Sequence, residues 1–233
     1  MKKLAIIPAF NESVNLLRVV EDLKASTEGY DYVIINDAST DDTKEVCEKN
    51  GLHFLDLATN LGIGGAVQTG YQYARNENYD LAVQIDGDGQ HDAALLLQME
   101  EALLSGEDAP DMVIGSRYID REGFQSTGLR RMGSRWLSTL IRLLTGTKIT
   151  DPTSGLRMCG KNVIEIFAEQ YPWDYPEPET TASLLSRGFK VREVPVKMRE
   201  RQGGTSSLSN PLKAVYYMVK VSLGIIIEVT GGR

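Results

Sequence analysis

Cysteine is scarce in this chain: Cys47 and Cys159 are the only two in 233 residues, and they do not form a CxxC. A disulfide scaffold is excluded, and the pattern fits a reducing compartment. Basic residues are also in short supply, with Lys+Arg 25 against Asp+Glu 32 and a formal net charge of -7. That balance argues against nucleic acid, whose phosphates demand a basic surface. No run of about 18 uncharged apolar residues occurs, so no segment is expected to span a bilayer. Met1-Lys2-Lys3 leads straight into a short apolar stretch ending at Pro8, which is not the pattern of a signal peptide. Internal repeats and low-complexity tracts are missing as well. What remains is 42% hydrophobic residues in a length suited to one α/β domain. Such a chain can bury a full core without staples. A soluble, cytoplasmic α/β protein is expected.

Two hydrophobic periods alternate along the first half. Leu4–Ile7, Tyr32–Ile35, His53–Leu57, Leu81–Ile85 and Met112–Ile114 are brief apolar runs of the kind found in parallel strands covered on both faces. Helical patterns lie between them: Leu16, Val20 and Leu23 on one face, then Thr40–Asn50, Ala66–Arg75 after a glycine loop, and Ala94–Leu104. Alternation of this kind predicts a doubly wound sheet with right-handed crossovers. Beyond Gly115 the regularity breaks. Arg117–Thr127 reads as a loop, Leu129–Leu144 as a basic amphipathic helix, Asp151–Gly155 as a turn and Asn162–Glu169 as a helix. Pro172–Pro178 reads as a loop, followed by a helix over Thr180–Arg187 and a strand over Val191–Val194. Residues 1–210 are taken as one catalytic-type domain and 211–233 as a C-terminal apolar helix, with no interdomain linker.

Ligands of open parallel sheets sit beyond the carboxyl ends of the strands. Three polar clusters fall there: Pro8-Ala9-Phe10-Asn11-Glu12, Asn36-Asp37-Ala38-Ser39-Thr40-Asp41, and Asp86-Gly87-Asp88-Gly89-Gln90-His91. Any one of them alone would be read as helix caps. Three at one sheet edge point to a site. Asp86 and Asp88 can face one cation as hard oxygen donors of the kind Mg²⁺ or Mn²⁺ prefers, with Gln90 as a neutral third ligand. An acidic protein that binds a diphosphate needs positive charge between its carboxylates and the phosphates. A divalent ion supplies it and stabilises a departing diphosphate. His91 is read as a loop residue and His53 as core or strand edge. The glycine loop Gly62-Ile63-Gly64-Gly65 is not a dinucleotide fingerprint. Val67 stands where that motif needs glycine or alanine, and the loop does not follow the first strand. Ala66 and Gly70 are expected to pack closely on the sheet.

The segments Ile6–Glu12, Ile35–Asp41, Asn60–Ala66 and Asp86–His91 occur in an order and spacing that resemble family 2 glycosyltransferases. The likeness continues through Gly115–Tyr118, Asp151–Arg157 and Glu193–Val196, nearly the whole chain. Within that family it looks most like the branch of dolichyl-phosphate mannose synthase and bacterial polyprenyl-phosphate glycosyltransferases. The resemblance implies a GT-A fold, a Rossmann-like, mostly parallel sheet with helices on both faces. It further implies a nucleotide-sugar donor, Mg²⁺ or Mn²⁺, and inversion at the anomeric carbon. By position it assigns Pro8, Ala9, Asn11 and Glu12 to the nucleotide pocket and Asp37 to the base or ribose. Asp86, Asp88 and Gln90 match the metal and diphosphate site. Arg117 matches a basic residue near the acceptor phosphate, with Arg131 and Ser134 in a loosely aligned helix doing likewise. Arg201 matches a loop that closes on the diphosphate. Asn36 and Ala38 depart from the more frequent Asp and Gly of that turn.

Negative charge grows on the leaving oxygen during transfer, so metal at Asp86 and Asp88, aided by Arg201, would stabilise it. A polyprenyl phosphate acceptor is already anionic and needs no base. A sugar hydroxyl does need one, and Glu177 and Glu179 occupy the region where hydroxyl-using relatives keep theirs, with Glu179 taken as the candidate. Three functions are weighed: transfer to a polyprenyl phosphate or lipid-linked glycan, transfer to a sugar hydroxyl in capsule or cell-wall polysaccharide synthesis, and a non-catalytic nucleotide-sugar binding module. Trp136 with Leu137, Leu140, Ile141 and Leu144 reads as packing first and as a membrane-facing surface second, the latter strengthened by Arg130, Arg131, Arg135 and Arg142. A place at the inner face of the cell membrane, and self-association through the last helix, are expected partners of this reading.

Overall fold

The computed structural model describes residues 1–87, 89, 93–106, 108–120, 128–197 and 211–231; of residues 129, 130 and 211–214 it describes the backbone alone. The strands are β1 (Lys3–Ala9), β2 (Tyr30–Asn36), β3 (Phe54–Asp56), β4 (Leu81–Gln84), β5 (Met112–Ser116), β6 (Arg157–Gly160) and β7 (Val191–Pro195). They form one sheet in the order β3-β2-β1-β4-β6-β5-β7. All neighbours are parallel except β6, which runs antiparallel to both β4 and β5. The helices are α1 (Leu16–Ser26), α2 (Thr43–Lys49), α3 (Gly62–Asn76), α4 (Leu95–Leu104), α5 (Gly128–Thr145), α6 (Lys161–Glu169), α7 (Pro176–Ser186) and α8 (Pro211–Gly231).

β1 lies near the middle, and its successive side chains feed two cores. Leu4 and Ile6 join one cluster with Val67, Tyr71 and Phe167, while Ala5 and Ile7 join the other with Leu16, Val20 and Met99. Burial on both faces explains the unbroken apolar run of this strand. α3 crosses the first face so closely that a Cβ at Gly70 would stand 2.2 Å from Ile6 Cγ2. The expected close packing of Ala66 and Gly70 is present, with Ala66 1% exposed.

Three features depart from the sequence expectations. β6 falls in a stretch, Arg157-Met158-Cys159-Gly160, too short and too mixed to show a strand period; its pairing with β4 and β5 creates it. α3 starts at Gly62 rather than Ala66, because other parts of the chain satisfy its first N–H groups. Leu61 N–H donates to Asp37 Oδ1 at 2.6 Å, Gly62 N–H to Asn60 Oδ1 at 3.1 Å and Gly64 N–H to the Trp173 carbonyl at 3.1 Å. A Cβ at Gly64 would lie 2.0 Å from the Pro172 carbonyl oxygen, so the glycine permits this docking. Last, α7 begins at Pro176 rather than Thr180. Tyr175 turns the chain at φ 53, and Pro176 takes the first helical position, where its missing N–H is harmless.

Candidate active site

The parallel ends of β1, β2 and β4 bring the first two polar clusters and Asp86 of the third to one edge. β1 ends in Pro8 and Ala9, both buried. Asp37 follows β2; its N–H donates to the Ala9 carbonyl at 2.9 Å. Burial raises the Asp37 carboxyl above its ordinary range, opposed by the N–H groups of Leu61 and Gly62. One carboxylate oxygen thus anchors α3 beneath the pocket. Asn11 adopts φ 57, and its Oδ1 accepts from Thr40 N–H at 2.8 Å and Asp41 N–H at 3.3 Å. The Glu12 N–H donates to Thr43 Oγ1 at 3.0 Å, and Glu12 Oε2 accepts from Asn15 Nδ2 at 2.8 Å. Asn11 and Glu12 therefore tie the loop after β1 to the loop after β2. Asn36, at the departure noted in that turn, bonds Asp56 and Ser39.

Beyond β4, Asp86 stands over Gly155, where a Cβ would lie 2.9 Å from Asp86 Oδ1. Gln84 Nε2 donates to the same oxygen at 3.4 Å. Gly87 passes equally close to β1, a Cβ there standing 3.0 Å from the Pro8 carbonyl oxygen. Asp86 offers hard oxygens to a divalent ion, and the tight glycine floor suits a carboxylate that must face a ligand. Among the described residues no group of three or more His, Cys, Asp or Glu could hold a metal. Asp88 and Gln90, assigned to the same ion, lie outside the described residues, as do His91 and Arg201.

Arg117, just past β5, forms a two-pronged pair with Asp151: Nε to Oδ2 at 2.6 Å and Nη2 to Oδ1 at 2.7 Å. Nη2 also donates to Thr153 Oγ1 at 2.9 Å. Burial would lower the Arg117 pKa, but the Asp151 carboxylate holds it above its ordinary value. Arg157, on β6, is fully buried and donates to the Ser154 carbonyl, Thr180 Oγ1 and the Pro152 carbonyl at 2.8, 2.8 and 3.0 Å. It clamps the loop before β6 to α7.

Glu177 and Glu179 sit two residues apart in the first turn of α7, so they project in different directions. Burial raises the Glu177 carboxyl; the charges of Arg157 and Arg117 oppose this and that of Asp86 adds to it. Glu179 instead lies against α8, where a Cβ at Gly224 would come 2.4 Å from its Cδ. Its carboxyl is pushed up to about 7, chiefly by burial, with Lys220 opposing and Glu228 and Asp174 adding. It lines a cavity of about 510 Å³ with Gln68, Tyr171, Trp173 and Glu228. The structure thus gathers Pro8, Ala9, Asn11, Glu12, Asp37, Asp86, Arg117 and Glu177, and sets Glu179 toward another helix.

The remaining candidates lie on α5. Ser134 is buried, its hydroxyl without a partner among the described residues, and Arg131 is exposed. Trp136 is 57% exposed and donates through Nε1 to Ser222 Oγ at 3.0 Å, joining α5 to α8. His53 pairs with Tyr73 Oη at 3.0 Å just before β3, at the sheet edge. Sequence reasoning gave no role to Asp151, Arg157 or Glu193, although all three stand in the motifs that carry the resemblance. Nothing in their spacing shows that they meet.

The model of glycosyl transferase family 2 matches residues 4–167. This chain belongs to that family. Proteins similar to it include an undecaprenyl-phosphate mannosyltransferase of Micrococcus luteus, 29% identical over 90% of this chain and 88% of the other. A UDP-N-acetylglucosamine–dolichyl-phosphate N-acetylglucosaminyltransferase of Methanococcus voltae is 27% identical over 96% of this chain and 97% of the other. Among solved structures, glucosyl-3-phosphoglycerate synthase of Mycobacterium tuberculosis, crystallised with Mn²⁺, UDP and glucosyl-3-phosphoglycerate, superposes with TM-score 0.69 at 18% identity. That superposition covers 99% of this chain and 80% of the other. It confirms the mostly parallel GT-A-type sheet expected from sequence.

Proposed function

We propose that this glycosyltransferase moves a sugar, with inversion, from a nucleoside diphosphate donor to a polyprenyl phosphate at a membrane surface. The observation that carries the reading is the junction of two halves at one edge. A nucleotide-side pocket from β1 and β2 meets Asp86, and Arg117 and Arg157 stand on the far side among buried partners. Asp86, with Asp88 and Gln90, would hold a divalent cation, which when bound neutralises the diphosphate and stabilises it as it leaves.

The chain's own residues do the rest. Asp37, held by α3, supplies a fixed acceptor at the ribose or base, while Pro8, Ala9, Asn11 and Glu12 shape the pocket around it. Arg201, outside the described residues, is assigned to the diphosphate by the family resemblance alone. Arg117 presents a guanidinium fixed in direction by Asp151, suited to orienting an acceptor phosphate oxygen. That oxygen is anionic at neutral pH, so attack on the anomeric carbon requires no proton removal. The curated relatives named above, whose names specify polyprenyl phosphates, support this acceptor class.

Membrane contact finds its support on α5 and α8. Met132, Trp136 and Leu143 of α5 and Val219, Leu223 and Ile227 of α8 are all more than half exposed, and Arg131, Arg135 and Arg142 flank them on α5. Apolar side chains beside arginines suit the boundary of an anionic bilayer. No described helix is long and apolar enough to cross a membrane.

A sugar-hydroxyl acceptor would need a carboxylate base, and Glu177 is better placed for it than Glu179 because it shares the field of Asp86 and Arg117. The deciding experiment offers undecaprenyl phosphate, undecaprenol and a panel of free oligosaccharides to the protein with UDP-, GDP- and dTDP-sugars and Mn²⁺. Transfer to the phosphate alone, abolished by EDTA, is expected. Transfer only to hydroxyl acceptors, lost in Glu177→Gln, would replace this reading with the second.

A further inference from the structure

Arg117 is held by more than its ion pair. Asp151, fully buried, receives both prongs of the guanidinium, and its own backbone is fixed from β7. Glu193, whose neighbour in the parallel pairing is Ile114, directs its carboxylate at two successive N–H groups: Thr150 N to Oε2 at 2.7 Å and Asp151 N to Oε1 at 2.8 Å. Thr150 Oγ1 lies 2.9 Å from each carboxylate oxygen and 2.8 Å from Ser116 Oγ, at the end of the strand that delivers Arg117. The Arg117 N–H closes the circuit on Asp151 Oδ2 at 3.1 Å.

We infer that Glu193 is a positioning residue for Arg117, acting through the backbone of Thr150 and the side chain of Asp151. The reasons are chemical. A carboxylate that accepts two backbone N–H groups and a hydroxyl makes charge-assisted bonds, stronger than neutral ones, at an otherwise irregular loop. The loop bearing Asp151 has no ladder of its own to set its height, so Glu193 sets it. A guanidinium gripped on two donors is sensitive to direction, and a shift of about 1 Å at an orienting group can cost about a hundredfold in rate. Glu193 meets the pair only at the backbone N–H of Asp151, not at its carboxylate or at the guanidinium, which distinguishes it from a catalytic group.

The kinetic side of the inference rests on the proposed acceptor role of Arg117, so the test has two arms. In the first, without any substrate, the Arg117 Nε–H resonance of the ¹⁵N-labelled full chain is followed by NMR. Glu193→Ala should shift it and speed its exchange with water at least tenfold, and Glu193→Gln, which keeps one acceptor, should fall between. In the second, transfer to undecaprenyl phosphate is measured for Glu193→Ala, Arg117→Ala and the double variant. Glu193→Ala should lower kcat/KM for the acceptor about tenfold or more and leave the donor KM within about twofold. The double variant should be no worse than Arg117→Ala, since residues acting as a unit are not additive. An unchanged Arg117 resonance in folded Glu193→Ala overturns the inference, as does an additive loss in the double variant. A shifted resonance with no transfer to polyprenyl phosphate by the parent protein supports the mount and removes the acceptor reading instead.

Discussion

Gly155 lies directly beneath the carboxylate of Asp86, close enough that a single added carbon would stand 2.9 Å from Oδ1 and 3.1 Å from Oδ2. The obstacle is the end of a side chain that can swing, not backbone. Gly155→Ala should therefore fold with a stability change under about 1 kcal/mol, while turning Asp86 away from the ligand side. Binding of Mn²⁺ with UDP, read by titration calorimetry, should weaken about tenfold to a hundredfold, as expected for a displaced orienting group. Unchanged affinity would remove Asp86 from the cation site.

Two ion pairs provide a direct contrast. Asp151 is fully buried against Arg117, whereas Asp174 pairs with Lys220 on the surface, with side chains 58% and 36% exposed. Asp151→Ala removes the buried carboxylate that takes both prongs of a largely desolvated guanidinium, and urea unfolding at pH 7 should show a loss of about 3–5 kcal/mol. Asp174→Ala should cost less than about 1 kcal/mol. Equal losses would contradict the burial argument.

Glu179 gives the fold a pH dependence of definite sign. Its native pKa of about 7 lies above the ordinary 4.5, so the native state holds this proton more tightly than the unfolded chain does. The associated stability is complete below about pH 4.5, falls as pH rises toward 7, and is gone above it. With the discount for partial exposure the loss is about 1–2 kcal/mol. Glu179→Gln should remove that slope and raise stability at pH 8, measured as the urea midpoint across the pH range. A slope of the same size in the variant would show that another group causes it.

Charge on α5 should control attachment to lipid. Replacing Arg131, Arg135 and Arg142 together by Gln removes about 1 kcal/mol of attraction per residue to an anionic surface, or about a hundredfold in partitioning. Sedimentation with phosphatidylglycerol vesicles should show this loss, and purely zwitterionic vesicles should bind both proteins equally weakly. A variant that sediments like its parent would separate this face from the membrane.

Much of the fold was legible in the sequence because parallel strands covered on both faces leave unbroken apolar runs, as in Leu4–Ile7 and Val33–Ile35. The polar clusters after those strands were legible for the same reason, since strand direction alone sends their ends to one edge. β6 was not. Its four residues include a fully buried arginine, and only the pairing of Arg157 with Gln84 and Ile114 makes them a strand. The starts of α3 and α7 were displaced because Asp37, Trp173 and Tyr175 decide them from outside the helical pattern.

The sequence by itself determined the parallel strands of the sheet, the edge where their polar loops meet, and the family to which those loops belong. Short-range chemistry suffices for that, since period, direction and spacing are all written along the chain. Only the tertiary structure decided that Glu177 joins the charges around Asp86 while Glu179 faces α8, and that Glu193 reaches Arg117 through Asp151. Those relationships join residues far apart in the chain or opposite sides of one helical turn, and they exist only once packing has fixed which way each side chain points.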